Sequence, residues 1–360
     1  MMIRKRFTLI LSLTLSALIG FAQQEGRDLS AVTYEEIYDE PYAINKFFLA
    51  LQPLYGEVFA TNVNAGFGME AQYYYRDLFN VRAHFRKTYT QGFYDMNRDL
   101  AAKVSDVDNR LEIFNYYEFG GTYHIKDFEK ASKAKMFLFK GGQNGSKWSP
   151  EDMRLRNEWA ATVPLHVEIP CKVRTIYGLR MGGIFWDSSV DINRTLETQN
   201  LNSNVLVNSS GAPIPEGNNL FSNITSRGMY LGGSMTWIRN VAVSFDKYET
   251  GVDDLILTVF FDIQYSPYNR LDDIVFTPKD ANGVSIIDQR STYFVSPITT
   301  NTFGFRAGID GKFNRSFSWS YGGEIGYRPG LEGQGFFAMI RIGIPVWGTS
   351  FNYKVEAFGK

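Results

Sequence analysis

Apolar and polar side chains alternate along this chain with period two, over stretches longer than most soluble strands. Between residues 63 and 75 the odd positions are Val63, Ala65, Phe67, Met69, Ala71, Tyr73 and Tyr75, and the even ones are Asn64, Gly66, Gly68, Glu70, Gln72 and Tyr74. Successive strand side chains point to opposite faces, so one face of this segment is apolar and the other is polar or Gly. Its length exceeds the usual five or six residues of a globular strand and meets the roughly nine to eleven of a tilted membrane-crossing strand. The pattern recurs at 111–125, where Glu112, Glu118 and His124 oppose Tyr117, Phe119 and Tyr123, with Asn115 interrupting the apolar face. It recurs again at 173–185, where Arg174 and Arg180 oppose Tyr177, Leu179, Met181 and Phe185. In the last third, Phe303, Phe305, Ala307 and Ile309 oppose Gly304, Arg306, Gly308 and Asp310; Phe317, Trp319, Tyr321 and Ile325 then oppose Ser316, Ser318, Ser320 and Glu324.

These segments predict strands near 46–54, 62–75, 80–90, 110–125, 133–140, 157–169, 172–186, 227–238, 241–248, 253–265, 271–277, 302–312, 315–327 and 335–346. The alternating tail of Phe351, Tyr353, Val355 and Ala357, ending at Phe358, would replace 271–277 if it is the last strand. Short turns are expected at Asp77 to Phe79, Phe128 to Ser132, Pro170 to Cys171 and Ile238 to Asn240, with long connections at 91–109, 141–156 and 187–226. The expected fold is all-β: a transmembrane antiparallel barrel of about 14 strands, with 12 to 16 tolerable, short periplasmic turns and long extracellular loops.

Composition narrows the reading. Lys and Arg total 37 against 38 Asp and Glu, which argues against a nucleic-acid partner. The single Cys171 rules out an intramolecular disulfide and a cysteine-cluster metal site, and no cofactor is implied. Arg4, Lys5 and Arg6, the apolar run 7–19 and Gly20-Phe21-Ala22 predict a signal peptide over 1–22, cleaved before Gln23. No later segment has the length and apolarity of a membrane helix; the best, 255–263, contains Asp262. The acidic stretch 23–45 is expected to plug the lumen, to lie in the periplasm or to be disordered, and 46–360 to form the barrel.

Signal peptide, long aromatic-rich strands and an aromatic-ended tail together resemble Gram-negative outer-membrane β-barrels. The Phe-Ala-Gln-Gln junction at 21–24 and the Tyr- and Asn-rich texture are similar to such proteins of the Bacteroidota. The resemblance implies location in the cell outer membrane, contact with its lipid and lipopolysaccharide, and, for the accessory members of the class, contact with other outer-membrane or periplasmic subunits. The broad class includes porins, fatty-acid-type channels and accessory barrels of secretion or assembly machines.

The expected inward charges are Glu70, Arg82, His84, Arg86, Glu112, Glu118, Arg174, Arg180, Arg306, Asp310, Glu324 and Arg341. With Glu168, Lys172 and Asp262 they make a lumen of mixed sign. Two arrangements follow. Arg82, His84 and Arg86 could form an anion-favouring ladder in an open lumen, as a channel or transporter for a small solute would have. Alternatively the arginines pair with Glu70, Glu112 and Glu118 on flanking strands and close the interior of a non-enzymatic accessory barrel. Facing glycines such as Gly322 would make room for arginines or tighten curvature. Catalysis is not expected: neither H-E-x-x-H nor G-x-S-x-G occurs, leaving only a pairing such as His166 with Ser234. The 187–226 connection, rich in Asn and Ser, is a candidate lid or partner surface.

Overall fold

A computed structural model describes residues 32–60, 62–89, 106–138, 166–246, 248–279, 285–315 and 318–348. Ten strands build a closed antiparallel barrel. They are β1 (Phe47–Phe59), β2 (Asn62–Tyr75), β3 (Phe79–Thr88), β4 (Asn115–Phe137) and β5 (His166–Asp191), followed by β6 (Phe221–Ile238), β7 (Leu255–Leu271), β8 (Phe303–Phe313), β9 (Ser320–Tyr327) and β10 (Phe336–Gly348). Each strand pairs with its neighbours in sequence, and β10 pairs with β1. Closure leaves the wall no free edge, which is how a sheet this long avoids unpaired backbone groups.

Ten strands replace the fourteen expected, for identifiable reasons. The segments near 110–125 and 133–140 are one strand, β4, in which Phe128 faces Thr175 and Ser132 faces Cys171 without a turn. Those near 157–169 and 172–186 are likewise joined in β5, with Pro170 inside it, opposite Lys133. Pro170 is tolerated because β6 pairs with β5 only from Arg174 onward; the missing N–H therefore falls on a side with no strand to bond. Val241–Phe245 leaves the wall and joins Tyr34–Asp39 and Gly251–Asp253 in a separate three-stranded sheet. Ile274–Phe276 pairs with Ser291–Tyr293 in a loop. The tail 349–360, Phe317 and the expected signal peptide lie outside the described residues, and the wall closes without any of them.

The even strand number puts the described N-terminal segment and the end of β10 at one rim, the terminal end. The strand ends Thr88 and Asn115, Asp191 and Phe221, and Leu271 and Phe303 lie at the other, the loop end. The 141–156 connection was expected there too, but the strand ends flanking it belong to the terminal end, because β4 and β5 each run as a single strand. Residues 139–165 are themselves outside the described set.

Alternation holds along the wall. Met69, Tyr73, Phe119, Leu179, Met181, Phe303, Phe305 and Ile325 are exposed on the outside, and their neighbours Tyr74, Glu118, Arg180, Arg306 and Glu324 are buried inside. On β10 the outward positions Phe336, Ile340, Ile342, Ile344 and Val346 are exposed, with Ala338 between them half-buried. The phase slips in β1, where the pairing shifts between Gln52 and Tyr55 around Pro53. Gln52 and Tyr55 consequently both face inward, and Glu57 and Phe59 follow.

Beyond Ile125 and Tyr177 the β4–β5 hairpin projects past the terminal rim. One face, Ala134, Met136, Val167, Ile169, Cys171 and Val173, packs with Val241, Val243 and Phe245 of the three-stranded sheet and with Val32 ahead of it; Lys133, Lys135, Glu168 and Lys172 on the other stay exposed. Burial pushes the Cys171 thiol up to about 11. Burial also raises the Asp39 carboxyl, against the lowering effect of the Lys172 backbone N–H donated to it. The described part of the 23–45 segment therefore lies at the terminal end. Its residues 40–45 run beneath the rim, where Asn240 Nδ2 donates to the Ala43 carbonyl at 2.9 Å and Asn45 N–H donates to Asn314 Oδ1 at 2.7 Å.

At the loop end a short helix α1 (Ile192–Thr198), capped by the Asp191 carboxylate, contributes Ile192 and Leu196 to an apolar core. Leu206, Ile214, Ile274, Tyr293, Val295 and Leu331 from the loops join Phe59, Trp186 and Phe337 from the wall. The 192–220 connection is thus folded over the mouth.

Candidate functional site in the barrel lumen

Between the apolar cap and the terminal rim the interior is ionic. Six arginines, Arg82, Arg86, Arg180, Arg306, Arg328 and Arg341, meet six carboxylates, Glu57, Glu70, Glu118, Asp262, Asp310 and Glu324. Arg306 is the hub. Its Nη2 lies 2.7 Å from Glu118 Oε1, its Nε 2.9 Å from Asp262 Oδ2 and its Nη1 3.4 Å from Glu324 Oε2. From there the chain extends through Asp262 to Arg180, at 3.0 Å, and through Glu324 to Arg341, at 2.9 Å. Arg341 also binds Asp310, whose other oxygen takes Arg82 Nη1 at 2.7 Å. Nearer the loop end Glu57 accepts Arg328 at 2.6 Å and Arg86 at 3.3 Å.

Aromatic faces complete the layer. The Arg86 guanidinium stands 4.0 Å from the Tyr116 ring centroid, Arg180 4.0 Å from Phe260, and Arg328 4.3 Å from Phe337. Such stacking favours a cation with few waters around it. The Tyr116 hydroxyl donates to Glu118 at 2.9 Å. Gly322 is where small size is needed: a Cβ there would lie 2.6 Å from Asp310 Oδ1 and 2.8 Å from Arg341 Nε. With almost every carboxylate bonded to two or more donors, the layer works as a cross-brace between opposite walls.

Ten of the twelve expected inward residues meet in or beside this layer: Glu70, Arg82, His84, Arg86, Glu118, Arg180, Arg306, Asp310, Glu324 and Arg341. His84 Nε2 lies 2.8 Å from Gln52 Oε1. Arg174 instead sits at the terminal rim, with its Nε 2.9 Å from Asp127 Oδ1, its Nη2 2.7 Å from Asp77, and the Tyr42 ring 4.3 Å away. Glu112 is not inward. It is exposed ahead of β4, which begins only at Asn115, so the strand alternation does not reach it; its backbone N–H donates to Asn223 Oδ1 at 3.0 Å. Glu168 and Lys172, expected inward as well, lie on the exposed face of the hairpin extension.

Glu57 and Arg328 were missed. Pro53 was the available signal for Glu57, since a proline inside a strand marks a bulge and a bulge reverses the inward phase beyond it. Arg328 stands one residue past β9 but keeps its inward phase after Glu324 and Gly326, so carrying the alternation one residue beyond the expected strand end at 327 was the available signal.

The three histidines do not gather. His84 is in the lumen, His124 contacts the Asp77 carbonyl at 3.0 Å, and His166 lies beside Phe137 on the hairpin extension. Ser234 pairs with Gly178, twelve residues along β5 from His166, which is about 40 Å at strand rise, so the two cannot act together. The paired aspartates are held by neighbours: Asp253 by Arg239, Asp254 by Arg315, and Asp272 and Asp273 by Asn223 and the Val295 N–H. Among the described residues no group of three His, Cys, Asp or Glu could hold a metal ion, and no helix is long and apolar enough to cross a membrane. No protein-family model matches the chain, and no curated protein matches its sequence.

Proposed function

We propose that this chain is an outer-membrane β-barrel with a non-conducting lumen, acting as an accessory subunit of an envelope assembly. Insertion in lipid is supported by the outward face, where every wall strand presents large apolar side chains and several, including Phe303, Ile340 and Trp347, are at least 60% exposed. An exposed apolar surface encircling a molecule is rarely left to water. The outward run from Phe336 to Val346 spans about 33 Å along the strand, or about 25 Å along the barrel axis at a tilt of about 40°, matching the height of an outer-membrane apolar band. Exposed lysines beginning at Lys126 mark where the hairpin leaves that band. The terminal end would face the periplasm and offer the hairpin and its three-stranded sheet to a partner.

The single observation behind a closed lumen is the paired ionic layer, sealed above by the loop core and crossed below by residues 40–45. A solute channel would have to break several buried ion pairs at once. The test is planar-bilayer recording of the folded protein, with folding verified by heat-modifiable migration, together with mild-detergent isolation from its native envelope. No unit conductance together with a partner at fixed stoichiometry is expected; regular ohmic openings would overturn the proposal in favour of a small-solute channel.

A further inference from the structure

Six arginines and six carboxylates balance, but the lumen holds one more cation. Lys312 continues the inward phase of β8 after Arg306 and Asp310, and among the described residues it makes no ion pair. Its ammonium lies 4.8 Å from the Phe48 ring centroid and 5.7 Å from that of Tyr74. Ring faces soften its desolvation without neutralising it.

Lys312 borders a cavity of about 50 Å³ between the ionic layer and the terminal rim. Arg82 borders the same cavity, and its side chain is only 9% exposed. Its Nη1 is held by Asp310, but its Nη2 has no hydrogen-bond partner, and its Nε, 3.3 Å from Glu70 Oε1, is misdirected for a hydrogen bond. Gln72, Thr236 and Thr258 supply neutral polar groups to the wall, and Phe48 and Ala50 an apolar side. A buried donor without an acceptor is costly, and a half-buried ammonium with no carboxylate beside it adds to that cost. Both costs fall on one small cavity.

We propose that this cavity is a binding site for one small monocarboxylate. Its negative charge cancels the surplus of Lys312, and a carboxylate oxygen accepts from Arg82 Nη2 in the charge-assisted geometry guanidinium favours. Size restricts the ligand: a water needs about 10–15 Å³ of such volume, so 50 Å³ admits about three to five non-hydrogen atoms. Acetate has four, and its methyl group suits the Phe48 side. A dianion would leave the lumen with an uncompensated negative charge. This inference goes beyond the accessory role and does not rest on it.

The folded protein in detergent micelles is titrated with acetate against chloride at constant ionic strength, followed by saturation-transfer NMR and calorimetry. Saturable one-to-one binding is expected in the parent. Lys312→Met should weaken it by about tenfold, the charge pair with the half-buried ammonium being lost, whereas substitution of the exposed Lys172→Met should leave it unchanged. Lys312→Gln replaces the methionine variant if that one fails to show heat-modifiable folding. Absence of saturable acetate binding in the parent, tighter binding of inorganic phosphate than of acetate, or equal binding by the parent and the Lys312 variant would each overturn the site. None of these results bears on conductance, so the two readings fail separately.

Discussion

Replacing Arg306→Met tests whether the ionic layer braces the barrel. Methionine keeps much of the length and the contact with the rings of Tyr230 and Phe260, but removes the guanidinium. Asp262 and Glu324 would still hold Arg180 and Arg341, at 3.0 and 2.9 Å. Glu118 would not: Arg306 is its sole ion-pair partner among the described residues, leaving a carboxylate that is 1% exposed with only the Tyr116 hydroxyl. Stranding one member of a buried pair costs about 3–5 kcal/mol. With an unfolding slope of about 2 kcal/mol per molar urea, the midpoint should fall by about 2 M, read by tryptophan fluorescence or loss of heat-modifiable migration in liposomes. Adding Glu118→Gln removes the orphaned charge and should restore about half the loss. A midpoint shift under about 0.5 M, or a double variant no better than the single, would refute the bracing argument.

Three further outcomes are expected. Phe305→Arg, at a half-exposed outward position, should lower membrane-assembled yield and cost about 2–4 kcal/mol if the site lies near the bilayer midplane; unimpaired folding would contradict the outward phase of β8. With the thiol pushed up to about 11, Cys171 should be about a thousandth thiolate at pH 8. It should then resist iodoacetamide until the three-stranded sheet is released by urea, and rapid alkylation of the native protein would mean the hairpin is uncovered. Because that thiol is raised above its ordinary value of 9.0, its contribution to stability should be intact below about pH 9 and fade as pH climbs toward 11. Finally, Gly322→Val should force Arg341 and Asp310 apart and destabilise the barrel; a parent-like urea midpoint would show that they have slack.

Ten of the twelve expected inward residues were placed rightly because strand alternation is a local property: once Met69 and Phe305 are outside, Glu70 and Arg306 must be inside. Glu112 was misread by extending that rule past the start of β4, and Glu57 was missed by ending the first strand at 54 rather than carrying it through the bulge at Pro53. The strand count failed at positions that look like turns in composition. Phe128 to Ser132 and Pro170 stay extended because they pair with each other's strand in a hairpin that projects beyond the wall, where an unbonded outer edge tolerates both charge and proline.

Sequence by itself determined the all-β class, the apolar outer face and the mixed charge within, since period and composition depend only on neighbours along the chain. Tertiary structure decided how many strands close the wall, that Arg306 joins Glu118, Asp262 and Glu324, and that Lys312 is left without a carboxylate. Those outcomes depend on which strands face each other across the lumen, a consequence of closure and register that no single strand encodes.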